Sequence, residues 1–387
     1  MTTIHWLGAG LSSLPGIKKV AQSGQPLILW NRTIAKAEQA VASLGINIPT
    51  KQLDWLSLEA DVNPGDVVIS MLPATLHLQV AELCLGLKAH FVSSSYVSPQ
   101  MQALHDKAKS LNLSFVNEVG LDPGLDHLLA HALIAEYQAS DKFNKANQHS
   151  FRSYCGGFPK VANAFRYKFS WSPLGVLKAL KSPAQWTQDG EVKRTEKPWL
   201  ALSSFDMRMS DASLETFQAY PNRDSLPFHK QYGFSEDWNI QEFVRGTLRL
   251  NGWSSAWSEL FTEVDNAVGE TGLARLAELS DELWDKHQYD KGEADRVVLS
   301  VELEVKDPQG EQTLWHSSYG IDEAGDERGS AMARLVSLTV AVAIESLVAG
   351  DLAIGVSPAP HDEATVNKWL NELENMNEKV FRHQLVG

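Results

Sequence analysis

Over about its first 125 residues the sequence alternates short apolar runs with segments of helical spacing, and this alternation constrains the fold more than any other feature. Ile4-His-Trp-Leu7, Pro26-Leu-Ile-Leu-Trp30, Gly65-Asp-Val-Val-Ile-Ser-Met-Leu-Pro73, His90-Phe-Val-Ser-Ser-Ser-Tyr96 and residues 114–119 read as strands. Residues 34–44 and 99–111 carry helical spacing between them. Strand and helix in strict turn predict a Rossmann-like α/β domain, a doubly wound parallel sheet. Its ligand contacts belong at the carboxyl ends of the strands: residues 8–11, 31–33, 72–75, 94–96 and 120–124.

The first of these turns is glycine-rich. Gly8 and Gly10 match two glycines of the dinucleotide fingerprint, while the third position is Ser13, so the match is incomplete. Gly8 would allow the tight turn, and Gly10, with Leu11 and Ser12, would let backbone N–H groups approach a pyrophosphate. The second strand ends in Asn31-Arg32-Thr33, without the carboxylate that usually accepts from a ribose 2′-hydroxyl. Arg32 can instead pair with a 2′-phosphate, which favours NADP(H) over NAD. In the last turn Asp122 is expected as an N-cap and Pro123 as the first helical residue. Leu125, Leu128, Leu129, Ala132 and Leu133 continue the helix, and Gly124 leaves room for a ligand.

The pattern then changes. Segments 151–157, 166–171 and 243–250 read as strands, Asp189-Gly190 marks a hairpin, and the alternating runs 295–306 and 312–321 predict another. The expected organisation is a dinucleotide-binding domain at 1–125, completed by about 350–387. An α+β substrate-binding and dimerisation domain takes 126–250 plus 295–349, with a small helical insert at 251–294. Residues 336–356 imitate a membrane span, but Glu345 and Asp351 favour a buried helix ending near Gly350. A net charge of −14 excludes a general nucleic-acid footprint, and no metal site is expected. Two cysteines, Cys84 and Cys155, give no disulfide framework and suit a reducing compartment, here the cytoplasm.

Block by block, the chain resembles the saccharopine reductase family, the NADP-dependent, glutamate-forming saccharopine dehydrogenases. The likeness is densest in Ser94-Ser-Tyr-Val-Ser-Pro99, Asn117-Glu-Val-Gly-Leu-Asp-Pro-Gly-Leu-Asp-His127, Ser153-Tyr-Cys-Gly-Gly157, Tyr220-Pro-Asn-Arg-Asp-Ser225 and Arg245-Gly-Thr-Leu-Arg249. The resemblance implies reduction of the imine between glutamate and α-aminoadipate semialdehyde, by a homodimer that binds a small anionic amino-acid substrate. It places the cofactor on the turn residues already named together with Leu72, Pro73, Ser94, Leu121, Asp122, Pro123 and Ser170. Saccharopine falls to Ser95, Tyr96, Asp122, Arg223, Arg245, Gly246, Thr247 and Arg249. Three carboxylates require fixed cations, and arginine pairs with carboxylates bidentately.

Asp122, Tyr96 and Cys155 are the catalytic candidates. Cys155 reads two ways, as a proton donor or as a small buried residue beside Gly156. His127 likewise reads as a general base or as a packing residue one turn into a helix. Two rivals stand beside this reading: a related condensation of the opine or carboxynorspermidine type, and a catalytically idle NADP(H)-binding sensor.

Overall fold

Apolar runs too short for helices become strands wherever helices can cover both faces, and the first half of the chain does this repeatedly. The computed structural model describes residues 2–387. The early strands are β1 (Ile4–Leu7), β2 (Leu27–Asn31), β3 (Thr50–Gln52), β4 (Val67–Ser70), β5 (His90–Ser93) and β6 (Ser114–Val116). Then come β7 (Gln148–Pro159), β8 (Ala184–Gln188), β9 (Glu191–Thr195), β10 (Ser203–Arg208), β11 (Leu214–Pro221) and β12 (Asn239–Leu250). The hairpin strands β13 (Asp295–Lys306) and β14 (Thr313–Ala324) follow, and β15 (Gly355–Ser357) and β16 (Phe381–Val386) close the series.

The chain forms two units, one from the residues up to Leu128 with Glu327–Glu378, the other from Leu129–Asp326 with Lys379–Gly387. In the first, seven parallel strands run in the order β15-β6-β5-β4-β1-β2-β3, the doubly wound arrangement expected from the alternation. The order reverses between β1 and β4, which opens a crevice at their carboxyl ends. Helix Leu14–Gln22 leaves β1 and packs on helix Ala331–Ala349. A Cβ on Gly16 would come within 2.4 Å of Ser337 O, and Gly16 N donates to Ser337 Oγ at 2.8 Å. Only glycine allows that approach.

The long apolar helix is a core element, with 78% of its most apolar window buried, and it ends at Gly350 with φ 81°. Its buried Arg334 donates to buried Glu378 at 2.8 Å. Two expected boundaries change as a result. The helix Ala331–Ala349 belongs with the nucleotide unit, because its apolar surface fills that core. The last residues belong with the other unit, because β16 pairs antiparallel with β14.

The second unit carries a nine-stranded sheet, β10-β11-β12-β7-β13-β14-β16, with β8 pairing β12 and β9. It is mixed, since β7 and β12 run parallel while their other neighbours are antiparallel. Asp189 (φ 55°) and Gly190 (φ 71°) make the turn between β8 and β9. The helical segment, Trp253–Ala256, Ser258–Asn266 and Gly269–His287, shares a core with helix Pro173–Leu180 through Trp257, Leu276, Val176 and Leu177. Two local expectations fail. Residues 166–171 form no strand, only a bridge from Phe169 to Gln288, because Tyr167 and Phe169 bury in that aromatic core. Residues 99–111 form two short helices, Pro99–Gln102 and His105–Ser110.

Candidate active site

The first unit gathers its candidate residues in the turns that follow the parallel strands. Gly8 has φ 104°, and a Cβ there would lie 2.8 Å from Met71 O, so the turn requires glycine. Asn31 braces it from β2: its Oδ1 accepts from Ala9 N at 3.2 Å and its Nδ2 donates to Thr33 O at 2.9 Å. In front of Gly10 the space is open. Leu11 is exposed, and the helix that begins at Leu14 has no side-chain cap from Ser13. At this helix start Pro15 has no N–H and Gly16 N is taken by Ser337 Oγ, so the N–H groups open to an anion are those of the glycine turn ahead of it, and the buried Ser13 Oγ lacks a partner.

Arg32 is exposed, and among the described residues it pairs with no carboxylate; its neighbours Asn31 and Thr33 bring no negative charge. These features fit an NADP pyrophosphate and 2′-phosphate, which Gly8 to Ser12 and Arg32 with Thr33, respectively, would hold. Leu72 and Pro73 follow β4 on the same side of the sheet. A hollow of about 410 Å³ beside β2 and β3, lined by Trp30, Lys51 and Asp54 among others, includes none of the expected site residues.

The turns after β5 and β6 meet. Tyr96 Oη donates to Asp122 Oδ1 at 3.0 Å. Ser94 packs against Gly120, where an added Cβ would lie 2.9 Å from Ser94 Cβ. The expected N-cap is not realised. The helix runs Leu125–Ala139, and Gly124, at φ 147°, cannot belong to it. The Asp122–Pro123 peptide is cis. Asp126 Oδ1 instead accepts from Gly124 N at 2.7 Å, which leaves the Asp122 carboxylate on Tyr96. Leu121 and Pro123 are buried in the turn. His127 is fully buried, with Nε2 3.0 Å from Glu118 Oε2.

One residue here was not anticipated. His77 lies between two hydroxyls, Ser70 Oγ and Ser95 Oγ, each at 2.8 Å. Burial pushes its pKa down to about 4, so the ring is neutral near pH 7. The available signal was its place in a buried stripe with Val80, Ala81 and Cys84.

In the second unit, position comes from cross-strand register. Tyr220 on β11 pairs with Thr247 on β12, and Thr247 pairs with Cys155 on β7. Strand alternation puts Arg245, Thr247 and Arg249 on one face of β12. Gly246 sits between them because a Cβ would come within 2.5 Å of Tyr220 O and of the Tyr154 ring. Arg245 is buried, with its guanidinium 4.0 Å from the Phe228 ring centre.

Arg249 is only 6% exposed and is surrounded by the rings of Tyr167, Tyr220 and Trp253 at 5.0, 5.5 and 5.3 Å. It donates to Leu248 O at 3.0 Å and to Tyr220 Oη at 2.9 Å. Its Nε has no partner, and no carboxylate pairs with it among the described residues. A desolvated cation without a counter-charge suits an anionic ligand. Tyr167 and Tyr220, which the sequence reading did not assign to a ligand site, make this box.

Arg223 is exposed, at φ 57°, in the turn after β11. Asn222 N donates to Arg245 O at 2.9 Å and ties that turn to β12. Cys155 lies inside β7 and is nearly buried. Gly156 beside it permits close approach to Leu248 rather than a turn. Lys168 is committed to Asp290, at 3.2 Å, and to Glu293. Ser170 also belongs to this unit, unlike the other expected cofactor residues.

Residues 4–116 match the saccharopine dehydrogenase NADP binding domain, and residues 120–378 match the saccharopine dehydrogenase C-terminal domain. The chain is similar to the saccharopine dehydrogenase (NADP(+), L-glutamate-forming) of Pyricularia oryzae, at 31% identity over 96% of each chain. It is 37% identical to the alpha-aminoadipic semialdehyde synthase of Arabidopsis thaliana over 57% of this chain, which spans 21% of that protein. Among solved structures, the apo saccharopine dehydrogenase (L-Glu forming) of Saccharomyces cerevisiae has the same fold, with a TM-score of 0.80 at 24% identity over 100% of both chains. Matched in this way along nearly its whole length, the chain belongs to the saccharopine dehydrogenase family.

Proposed function

We propose that this chain is an NADP-dependent oxidoreductase acting on the C–N bond of saccharopine, interconverting it with L-glutamate and α-aminoadipate semialdehyde through an imine. The observation that carries the reading is the 3.0 Å contact between Tyr96 and Asp122 at the strand ends of a Rossmann-like sheet, in a chain matched by both domains of the family. Bound NADP⁺ would supply the hydride acceptor for the aminoadipate-side carbon of the secondary amine, the one that becomes the aldehyde. As that carbon is oxidised the nitrogen loses its proton, water adds to the resulting imine, and the C–N bond breaks to release glutamate and the semialdehyde.

In this reading the Asp122 carboxylate takes the amine proton or stabilises the iminium, with Tyr96 orienting the same nitrogen or a carboxylate beside it. Ser95 binds substrate, held by His77. Arg223, Arg245 and Arg249 bind carboxylates, with the Gly246-Thr247 backbone between the last two. Cys155, next to Thr247 across the strands, would donate or relay a proton. Ser94, Leu72, Pro73, Leu121, Pro123 and Ser170 complete the cofactor contacts. We further propose a homodimer, as the family resemblance implies, and a cytoplasmic location, in keeping with two cysteines in no disulfide.

The test is NADP⁺ reduction with saccharopine, read at the nicotinamide absorbance, with NAD⁺ as the control. Turnover preferring NADP⁺ and lost in Arg223→Ala is the expected result. No turnover with either cofactor, from folded protein that binds NADPH, would refute the proposal.

A further inference from the structure

Three ionisable side chains in the segment on either side of Asp122 are buried, and none of them takes part in the chemistry proposed above. Glu118 is 4% exposed, and Asp126 and His127 are 0% exposed. Glu118 holds the turn after β5 at two points: its N donates to Ser95 O at 3.0 Å, and its Oε1 accepts from Val97 N at 2.9 Å. Tyr96 lies between those two points. The other carboxylate oxygen of Glu118 is 3.0 Å from His127 Nε2. His127 Nδ1 is 3.6 Å from Asp126 Oδ2, and Asp126 Oδ1 accepts from Gly124 N at 2.7 Å. Gly124 closes the turn that carries Asp122, through its bridge to Gly120.

Hydrogen bonds at either end and charge-pair approaches of 3.0 and 3.6 Å between them therefore link the backbone on both sides of Tyr96 to the backbone just beyond Asp122. Buried ionisable groups are poor sources of stability compared with apolar residues of the same size. Placing three together, one of them (Glu118) at φ +58°, is costly unless position itself is what they supply.

We infer that Glu118 and His127 are positioning residues, which lock the turns after β5 and β6 so that Tyr96 and Asp122 meet in reactive geometry. His127 then has no role as a general base: it faces Glu118 and Asp126 inside the protein. This inference rests on Tyr96 and Asp122 being the reacting pair. A misplacement of about 1 Å at such a pair costs roughly 10²-fold in rate.

The test compares Glu118→Gly, Glu118→Gln and His127→Gln with Tyr96→Phe and Asp122→Ala, by steady-state kinetics, NADPH titration and thermal unfolding. Glycine accepts the left-handed backbone at this position, so Glu118→Gly removes the carboxylate without adding strain. The expected result is a kcat about 10²-fold lower in Glu118→Gly, with NADPH affinity and cooperative unfolding kept. Glu118→Gln, which can still accept from Val97 N, should recover most of the loss, and His127→Gln should fall between the two. Wild-type kcat in Glu118→Gly, or a loss only in proportion to unfolded protein, overturns the inference if Tyr96→Phe and Asp122→Ala are impaired. Wild-type kcat in those two removes the catalytic reading, and the inference with it.

Discussion

The two units solve the same problem, holding polar groups for a ligand, by opposite means. In the parallel-sheet unit each group sits in a turn of a few residues at a strand end, and backbone does most of the work: the Gly8 turn, the Gly120–Gly124 bridge, the N–H groups before Leu14. In the mixed-sheet unit the groups stand on strand faces, and register brings together Tyr220, Thr247 and Cys155 from three separate strands. The first arrangement suits phosphates, which are recognised by N–H groups and helix ends. The second suits carboxylates, which are recognised by long cationic side chains needing lateral support. In the proposed reading the first unit supplies most of the cofactor contacts together with Tyr96 and Asp122, and the second supplies the arginines that recognise carboxylates.

Four experiments bear on that division. Asp122→Ala should lower kcat about 10³-fold while leaving unfolding cooperative, because in the proposed reading its carboxylate takes the amine proton. A rise in KM at constant kcat would put Asp122 on the recognition side and break the comparison. Arg249→Met should raise the KM for saccharopine about 10²-fold, the scale of a lost charge-assisted contact. The same change should raise the midpoint of thermal unfolding, since it replaces a guanidinium with no counter-charge by an apolar chain in an aromatic box. A lower midpoint with KM unchanged would make Arg249 a structural residue.

The third test is acid. Burial depresses the pKa of His77 in one unit and His149 in the other, each to about 4. Below the unfolded value near 6.5 the unfolded chain takes up protons that the folded chain refuses. Stability therefore falls as pH drops from 6.5 towards 4, by up to about 3 kcal/mol for each histidine. Unfolding followed over that range should show a shallower slope in His77→Asn and in His149→Gln; an unchanged slope in both would mean that the rings are protonated when folded. The smallest effect belongs to Arg32→Ala, which should cut the preference for NADPH over NADH about tenfold, measured as a ratio of dissociation constants. An unchanged ratio would move 2′-phosphate recognition away from the β2 turn.

What could be read in advance divides along the same line. That the glycine turn, Arg32, and the Ser94–Tyr96 and Leu121–Gly124 segments lie at strand ends was legible because each is contiguous and its position follows from strand–turn–helix order. The chemical detail inside them was not. Asp122 looked like an N-cap in a one-dimensional pattern, but Gly124 at φ 147° starts the helix later and Asp126 takes the capping contact. His77 looked like an ordinary helical residue until β4 and β5 brought Ser70 and Ser95 to its two ring nitrogens. The ring box around Arg249 draws on residues 167, 220 and 253, whose spacing in the chain has no period.

The sequence by itself determined the doubly wound sheet, the turns that face its ligand edge, the hairpin at Asp189-Gly190 and the burial of the long apolar helix. These follow from local periodicity, backbone preference and the cost of placing charge in an apolar medium. Tertiary structure alone decided that helix Ala331–Ala349 completes the nucleotide unit, that β16 extends the other sheet, and that Glu118, His127 and Asp126 form one buried series. Those outcomes depend on which distant surfaces fit, as Gly16 fits Ser337, and complementarity between distant segments leaves no periodic trace in a single chain.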